Sequence, residues 1–329
     1  MAALLGIDVS TFPTAANILV FVVAVLLVAK GAGLFVEGAS GIGRRLGISE
    51  LVLGLTVVAI GTSAPEFAVS VGAAIKGQGD IAVSNVVGSN IFNLGIILGT
   101  VAMMRSLPTA PTVTYRDGGL LLVGAIFASL TIGLDLRLDR FEGAVLVSAL
   151  VLYLLYLVHA GRRDRHLIPF EEVPAAAPTL SGDLWRFAVG LGAVLVASSF
   201  MVDAATSVAR DFGVSEWVIG VTIVAAGTSA PEMATSLAAA ARGKAELGVG
   251  ALIGSDIFNL FGVVGVAGLI NPVAVAPEAR LSLVSFALMV MLVMLLMRLD
   301  WRVSRRDGVI LVLVAIGRWV FDITAAGPG

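Results

Sequence analysis

The hexapeptide GTSAPE occurs twice in this chain, at Gly61 and again at Gly227, each time inside a long apolar run. It sets a helix breaker, Pro65 or Pro231, beside a carboxylate, Glu66 or Glu232. Proline removes one backbone hydrogen bond and clashes with the preceding turn. An ionisable group at the centre of a bilayer costs about 2.5–3.5 kcal/mol on the insertion scale. A chain that carries both penalties twice, at matching positions, calls for a compensating cation.

The repetition extends well beyond the hexapeptide. ISELVLGLTVVAIGTSAPE from Ile48 matches VSEWVIGVTIVAAGTSAPE from Val214, and VGSNIFNLGIILG from Val87 matches IGSDIFNLFGVVG from Ile253 at the same offset without gaps. Glu37 meets Asp203 at that offset too. Hydrophobic residues make up 58% of the chain and charged residues 13%, with mean hydropathy +1.01, far from the balance of a soluble domain. Apolar stretches long enough for a span of about 20 residues lie near 16–43, 50–75, 79–104, 118–134, 142–160, 185–208, 216–241, 246–271, 280–298 and 307–324. They are continuous rather than alternating, which argues against a β-barrel. The expected fold is an all-α polytopic membrane protein with ten transmembrane helices in two five-helix repeats. Residues 1–160 form the first, 161–184 a polar linker, and 185–329 the second. Five is odd, so the second copy enters from the opposite side and the repeats are inverted.

The basic residues agree with that inversion. Arg44, Arg45, Arg105, Arg116, Arg162, Arg163, Arg165, Arg186, Arg242, Lys244, Arg298, Arg302, Arg305 and Arg306 fall on one side, and only Lys76, Arg137, Arg140, Arg210 and Arg280 on the other. The positive-inside rule makes the first group cytoplasmic, with the linker, and puts both termini outside. The first span is too long, and too poorly matched to a cleavage site, to read as a removed signal peptide. Cysteine is absent, which excludes disulfides and thiolate metal sites. With net charge −2, nothing suggests nucleic acid. The bilayer and inorganic cations are the expected partners, and no protein partner or cofactor is implied. The spacings Gly95-x-x-x-Gly99 and Gly250-x-x-x-Gly254 read as close helix packing.

Interrupted helices at matching positions of inverted repeats point to a transporter site at the midplane. Around the first break, Thr62 and Ser63 precede Glu66 on the same helix face, and Ser89 and Asn93 stand one turn apart on the next helix. The second copy supplies Thr228, Ser229, Glu232, Ser255 and Asn259. Every donor is oxygen or an amide that can present oxygen, a set that suits Ca²⁺ or Na⁺ and excludes zinc and copper. Taken singly, the hydroxyls have a plainer use, bonding back to their own helices. Asp256 replaces Asn90 of the first copy and is the one extra carboxylate in the motif segments. It sits at the rim of the ligand face, where it either packs or acts on the site through its field or as a proton acceptor.

The paired GTSAPE and GSNIFN-like segments resemble the alpha repeats of the cation/Ca²⁺ antiporter family, best known as sodium/calcium exchangers, and the chain reads as a prokaryotic member. The resemblance covers nearly the whole chain and implies Ca²⁺ leaving against inward Na⁺ by alternating access across the inner (plasma) membrane. In that scheme two long helices, near 16–43 and 185–208, slide against a rigid eight-helix core. Family ligand positions match Thr62, Ser63, Glu66, Ser89, Asn93, Thr228, Ser229, Glu232 and Ser255. Well-studied members carry an aspartate where Asn259 stands, so this site is more symmetric. H⁺ in place of Na⁺ is the nearest alternative, since two buried glutamates can themselves titrate. A cation channel would need a ring of charge that the sequence lacks. An enzyme would need a nucleophile and base, and neither His159 nor His166 lies in the paired GTSAPE and GSNIFN-like segments. Lys30 reads as snorkelling or pairing with Glu37, and Arg318 has no evident partner.

Overall fold

The computed structural model describes residues 11–164, 179–213 and 225–325. Helix α1 spans Thr14–Leu46 and ends at Gly47, whose left-handed φ of 64° lets its N–H close back on the last turn. Ser49 then caps α2, Glu50–Leu53, by accepting from the Val52 N–H at 3.3 Å. A π-helical turn, Gly54–Val58, leads into α3, Ala59–Thr62, and after Ser63 the chain restarts as α4, Ala64–Ile75. Next come α5 (Gly79–Phe92), a second π turn (Asn93–Ile97), α6 (Leu98–Met104) and strand β1 (Leu107–Pro108). A third π turn, Thr112–Asp117, opens α7 (Gly118–Leu130), which is followed by α8 (Ile132–Asp135), β2 (Arg137–Leu138) and α9 (Arg140–Asp164).

The second half repeats this order. Helix α10 covers Leu180–Asp211, α11 Ala225–Thr228, α12 Ala230–Ala241 and α13 Ala245–Ile257. A π turn at Phe258–Val264 precedes α14 (Gly265–Ile270), β3 (Val273–Ala274), α15 (Glu278–Asp300), β4 (Arg302–Val303) and α16 (Arg305–Ala325). Among the described residues seven helices are long and apolar enough to cross a membrane, and the pair Glu50–Thr62 and Ala64–Ile75, bent by 51°, makes an eighth. Helices α12 and α16 occupy the two remaining expected regions, the first of which lies partly outside the described residues.

Two details differ from a purely helical expectation. The short strands pair antiparallel, β1 with β4 and β2 with β3. Leu136 and Trp301, at φ 58° and 51°, turn the chain into β2 and β4. The two ladders exchange when the two halves of the sequence are exchanged. The flanking long helices also outrun their expected limits, because Arg45 and Asp183 join them as an ion pair at 2.8 Å and draw polar ends into helix. Helices α9 and α10 reach into the 161–184 stretch from its two ends, and 165–178 fall outside the described residues.

Helices α1 and α10 lie side by side, tied at their other ends by Asn17 Nδ2 donating to Ser207 Oγ at 2.8 Å and Thr14 Oγ1 to Asp211 Oδ2 at 2.6 Å. The outer face of α1 exposes Ile18, Val22 and Leu26, and α10 exposes Leu184 and Trp185, as lipid-facing surfaces do. The core formed by the remaining helices buries Leu94, Ile97, Leu98, Phe286 and Leu311. The small-residue spacings pack as expected. A Cβ at Gly99 would stand 2.8 Å from the Gly308 carbonyl, and one at Gly254 2.6 Å from Leu55 Cα, so α13 lies directly on the first π turn.

Candidate functional site

Pro65 has no N–H to give the carbonyl of Gly61, and helix α3 stops at Thr62. Ser63 takes φ −79°, ψ 9°, and Ser229 at the second break takes φ −87°, ψ 9°. The next helices start alike, Phe67 N–H bonding the Ser63 carbonyl and Met233 N–H the Ser229 carbonyl, each at 3.0 Å. Identical sequence therefore gives two near-identical breaks. Each places its glutamate in the first turn of the following helix, where the helix end favours a carboxylate.

The breaks meet at the centre, and each carboxylate is served by the other repeat. Glu232 Oε1 accepts from Ser63 Oγ and from Ser255 Oγ, both at 3.2 Å, and those hydroxyls lie 2.7 Å apart. Glu66 Oε1 accepts from Ser229 Oγ at 3.3 Å. Thr62 also approaches Glu232, and Thr228 approaches Glu66. Ser89 Oγ lies 3.3 Å from Thr228 Oγ1. Asn93 Nδ2 lies 3.0 Å from Asp256 Oδ1 and 3.5 Å from Ser255 Oγ, and Asn259 Nδ2 donates to Asn90 Oδ1 at 3.2 Å. All ten expected positions thus fall in one cluster together with Asp256 and Asn90. Nine of the ten are buried, and only Thr228 is half-buried, so the cluster is closed to solvent. Thr62 Oγ1 also lies 3.2 Å from Val58 O, so its single proton is shared between its own helix and the cluster.

The unpaired atoms are the informative ones. Glu66 Oε2, Glu232 Oε2, Asp256 Oδ2, Asn93 Oδ1 and Asn259 Oδ1 are buried without a hydrogen-bond donor, and every one is an acceptor oxygen. Buried polar groups are normally paired, and a surplus of acceptor oxygens beside buried carboxylates repels an anion and fits a cation. No three His, Cys, Asp or Glu side chains converge among the described residues. Hydroxyl, amide and carboxylate oxygens are the groups on offer, in keeping with hard-cation chemistry. An open groove of about 410 Å³ between α1 and α10 is lined by Leu19, Val23, Leu27, Val196 and Phe200 and offers no cation ligand.

Sequence reasoning singled out Asn90 only as the counterpart of Asp256, yet it bridges the halves, donating to the Asp256 backbone carbonyl at 3.1 Å. It also missed Asn85, which bonds Ser70 Oγ at 2.9 Å one turn beyond Glu66. The recurrence of Ser70 as Ser236 in the second repeat was the available signal. Arg318 does have partners, Ser285 Oγ and Ser282 Oγ, both at 3.0 Å. Glu37 pairs with Arg242 at 3.3 Å, while Lys30 is exposed.

Comparison with known proteins gives concordant matches. The family described as sodium/calcium exchanger protein matches residues 16–159 and, separately, 183–323. CaxA of Alkalimonas amylolytica is 38% identical over 311 residues, 92% of this chain and 97% of that protein. The sodium/calcium exchanger MaX1 of Methanosarcina acetivorans is 29% identical over 334 residues, covering 90% and 95% of the two chains. Among solved structures, the sodium-calcium exchanger NCX_Mj soaked with Na⁺ and Sr²⁺ superposes with TM-score 0.80 at 30% identity, covering 92% of this chain and 97% of that one.

Proposed function

This chain belongs to the sodium/calcium exchanger family, and on that premise we propose that it is a secondary antiporter moving Ca²⁺ outward against inward Na⁺. The observation that carries the reading is the set of five donorless acceptor oxygens, contributed by both halves and buried at the two helix breaks and at the ends of the helices that follow them. Ca²⁺ takes six to eight oxygens. Thr62, Ser63, Glu66, Ser89, Asn93, Thr228, Ser229, Glu232, Ser255 and Asn259 supply them, and the two glutamates balance one divalent charge. Na⁺ uses an overlapping subset, so the ions exclude one another, and that exclusion couples their movements.

The transport cycle we propose uses ten crossings in two inverted five-helix repeats. The match of one family description to each half supports this, as does the exchange of the two strand ladders between halves. Helices α1 and α10, tied at both ends, move as one body against the others. Both termini lie outside, the linker is cytoplasmic, and the protein resides in the inner membrane, where the name of a 36% identical relative from Escherichia coli places that protein.

Reconstituted vesicles test the reading. ⁴⁵Ca²⁺ uptake should follow an outward Na⁺ gradient at fixed pH, and equilibrium Ca²⁺ binding should weaken as Na⁺ rises at constant ionic strength. Uptake driven by a pH gradient without Na⁺, with Ca²⁺ affinity indifferent to Na⁺, would replace Na⁺ by H⁺ as the counter-ion. Flux without any counter-ion would make the protein a channel.

A further inference from the structure

Residue 256 stands at the junction of the two halves, and its contacts decide how both ligand amides point. An amide presents oxygen on one side and N–H on the other, and the choice follows from the hydrogen bonds around it. Asp256 Oδ1 serves Asn93 as an acceptor, and Asn93 turns Nδ2 toward it, at 3.0 Å. The Asn93 carbonyl oxygen then faces the opposite way, where it is buried without a donor among the site oxygens. The backbone carbonyl of the same residue acts on the other amide at one remove. It accepts from Asn90 Nδ2 at 3.1 Å, which turns Asn90 Oδ1 outward to accept from Asn259 Nδ2 at 3.2 Å. Asn259 Oδ1 is thereby left without a donor as well.

The two arrangements are counterparts, since Asn93 corresponds to Asn259 and Asn90 to Asp256 in the repeat. They differ in what enforces them. Asn259 is held through a backbone group that no substitution removes, whereas Asn93 is held by side chains, Asp256 Oδ1 at 3.0 Å and the more distant Ser255 Oγ at 3.5 Å. Asp256 does not join both glutamates in a three-carboxylate cluster, and Asn93 lies between it and Ser255, which in turn bonds Glu232.

We infer that Asp256 is a positioning residue that locks the Asn93 carboxamide with its oxygen toward the transported ion, and so sets the preference of the site for Ca²⁺ over Na⁺. This rests on the proposed cation site and specifies how one half of it is tuned. Asn at 256 would present either an acceptor or a donor, so Asn93 could turn its N–H into the site. A divalent ion suffers more from that exchange than a monovalent one, because ion–dipole attraction scales with ionic charge.

The test is equilibrium binding of Ca²⁺ and of Na⁺ to the purified full-length protein, in wild type, Asp256→Asn, Asn93→Ala and the double variant. Asp256→Asn should weaken Ca²⁺ about tenfold, the scale of one hydrogen bond to a charged group. It should lower the Ca²⁺-to-Na⁺ affinity ratio while leaving the melting temperature near wild type. In the Asn93→Ala background the same substitution should change neither quantity further, because the group it acts through is gone. Asp256→Ala should behave the same way and serves if Asp256→Asn does not fold. An unchanged affinity ratio in the single variant, or full additivity in the double, overturns the positioning role. Wild-type protein that binds neither ion overturns the cation site itself, a result distinct from both.

Discussion

The Glu232 side of the cluster and the Glu66 side are built from the same residue types, yet they are bonded differently. Ser255 reaches Glu232, whereas its counterpart Ser89 turns to Thr228 instead of Glu66. Ser63 and Ser255 stand 2.7 Å apart, and Glu232 gains two hydroxyl donors where Glu66 gains one from the serines. Since the motif residues match, the difference comes from their surroundings: Asn93 and Asp256 border one side, Asn259 and Asn90 the other. Duplication thus supplies two copies of a ligand set, and a single carboxylate makes them inequivalent. That leaves the cluster with one tight half, around Glu232, and one loose half, around Glu66.

Replacing either glutamate tests whether the halves are equally needed. Glu66→Gln and Glu232→Gln keep the volume and remove the charge, and each should cut Ca²⁺ transport roughly 100-fold or more, as when one partner of a buried charge pair is lost. Near-normal ⁴⁵Ca²⁺ uptake by one of them would mean that its half does not hold the ion. Gly254→Ala acts less directly. Its methyl would press on the backbone of Leu55, shifting α13 and Ser255 away from Ser63 at a cost of about 1–3 kcal/mol. The expected result is a lower melting temperature and a Ca²⁺ affinity reduced several-fold, and an unaltered protein would show that this contact does not set the tight half. The smallest effects come from the hydroxyls. Ser255→Ala removes a hydrogen bond to a carboxylate and should weaken Ca²⁺ binding by about tenfold. Ser89→Ala removes one between hydroxyls and should weaken it about threefold. Equal losses would erase the distinction drawn between the halves.

How far the sequence predicts all this depends on the range of the interaction. The helix breaks were legible because Pro65 and Pro231 act within one turn, and the structure puts them at Ser63 and Ser229 with matching angles. The ten candidate positions were legible because the repeat brings GTSAPE and the following helix together twice. Crossed contacts were not. Whether Ser89 meets Glu66 or Thr228 depends on a fraction of a helical turn, which no spacing encodes. Glu37 was matched with Lys30 by proximity along α1, yet it pairs with Arg242, whose guanidinium approaches α1 where Gly33 has no side chain. Arg318 found Ser282 and Ser285, one turn apart on α15, a spacing that reads as unremarkable until a neighbouring helix is in place. The end ties of α1 and α10 join residues from opposite halves of the chain that carry no motif.

Those ties give the two long helices a mechanical character. A helix of 33 residues is about 50 Å long at 1.5 Å per residue, against a hydrocarbon layer about 30 Å thick. Helix α1 must therefore lean or emerge, and with Arg45–Asp183 at one end and Asn17–Ser207 near the other, α10 is held to the same angle. Bilayer thickness then bears on both helices together. A thin membrane and a thick one load the pair differently, and the lipid becomes a term in the balance between the two faces of the protein.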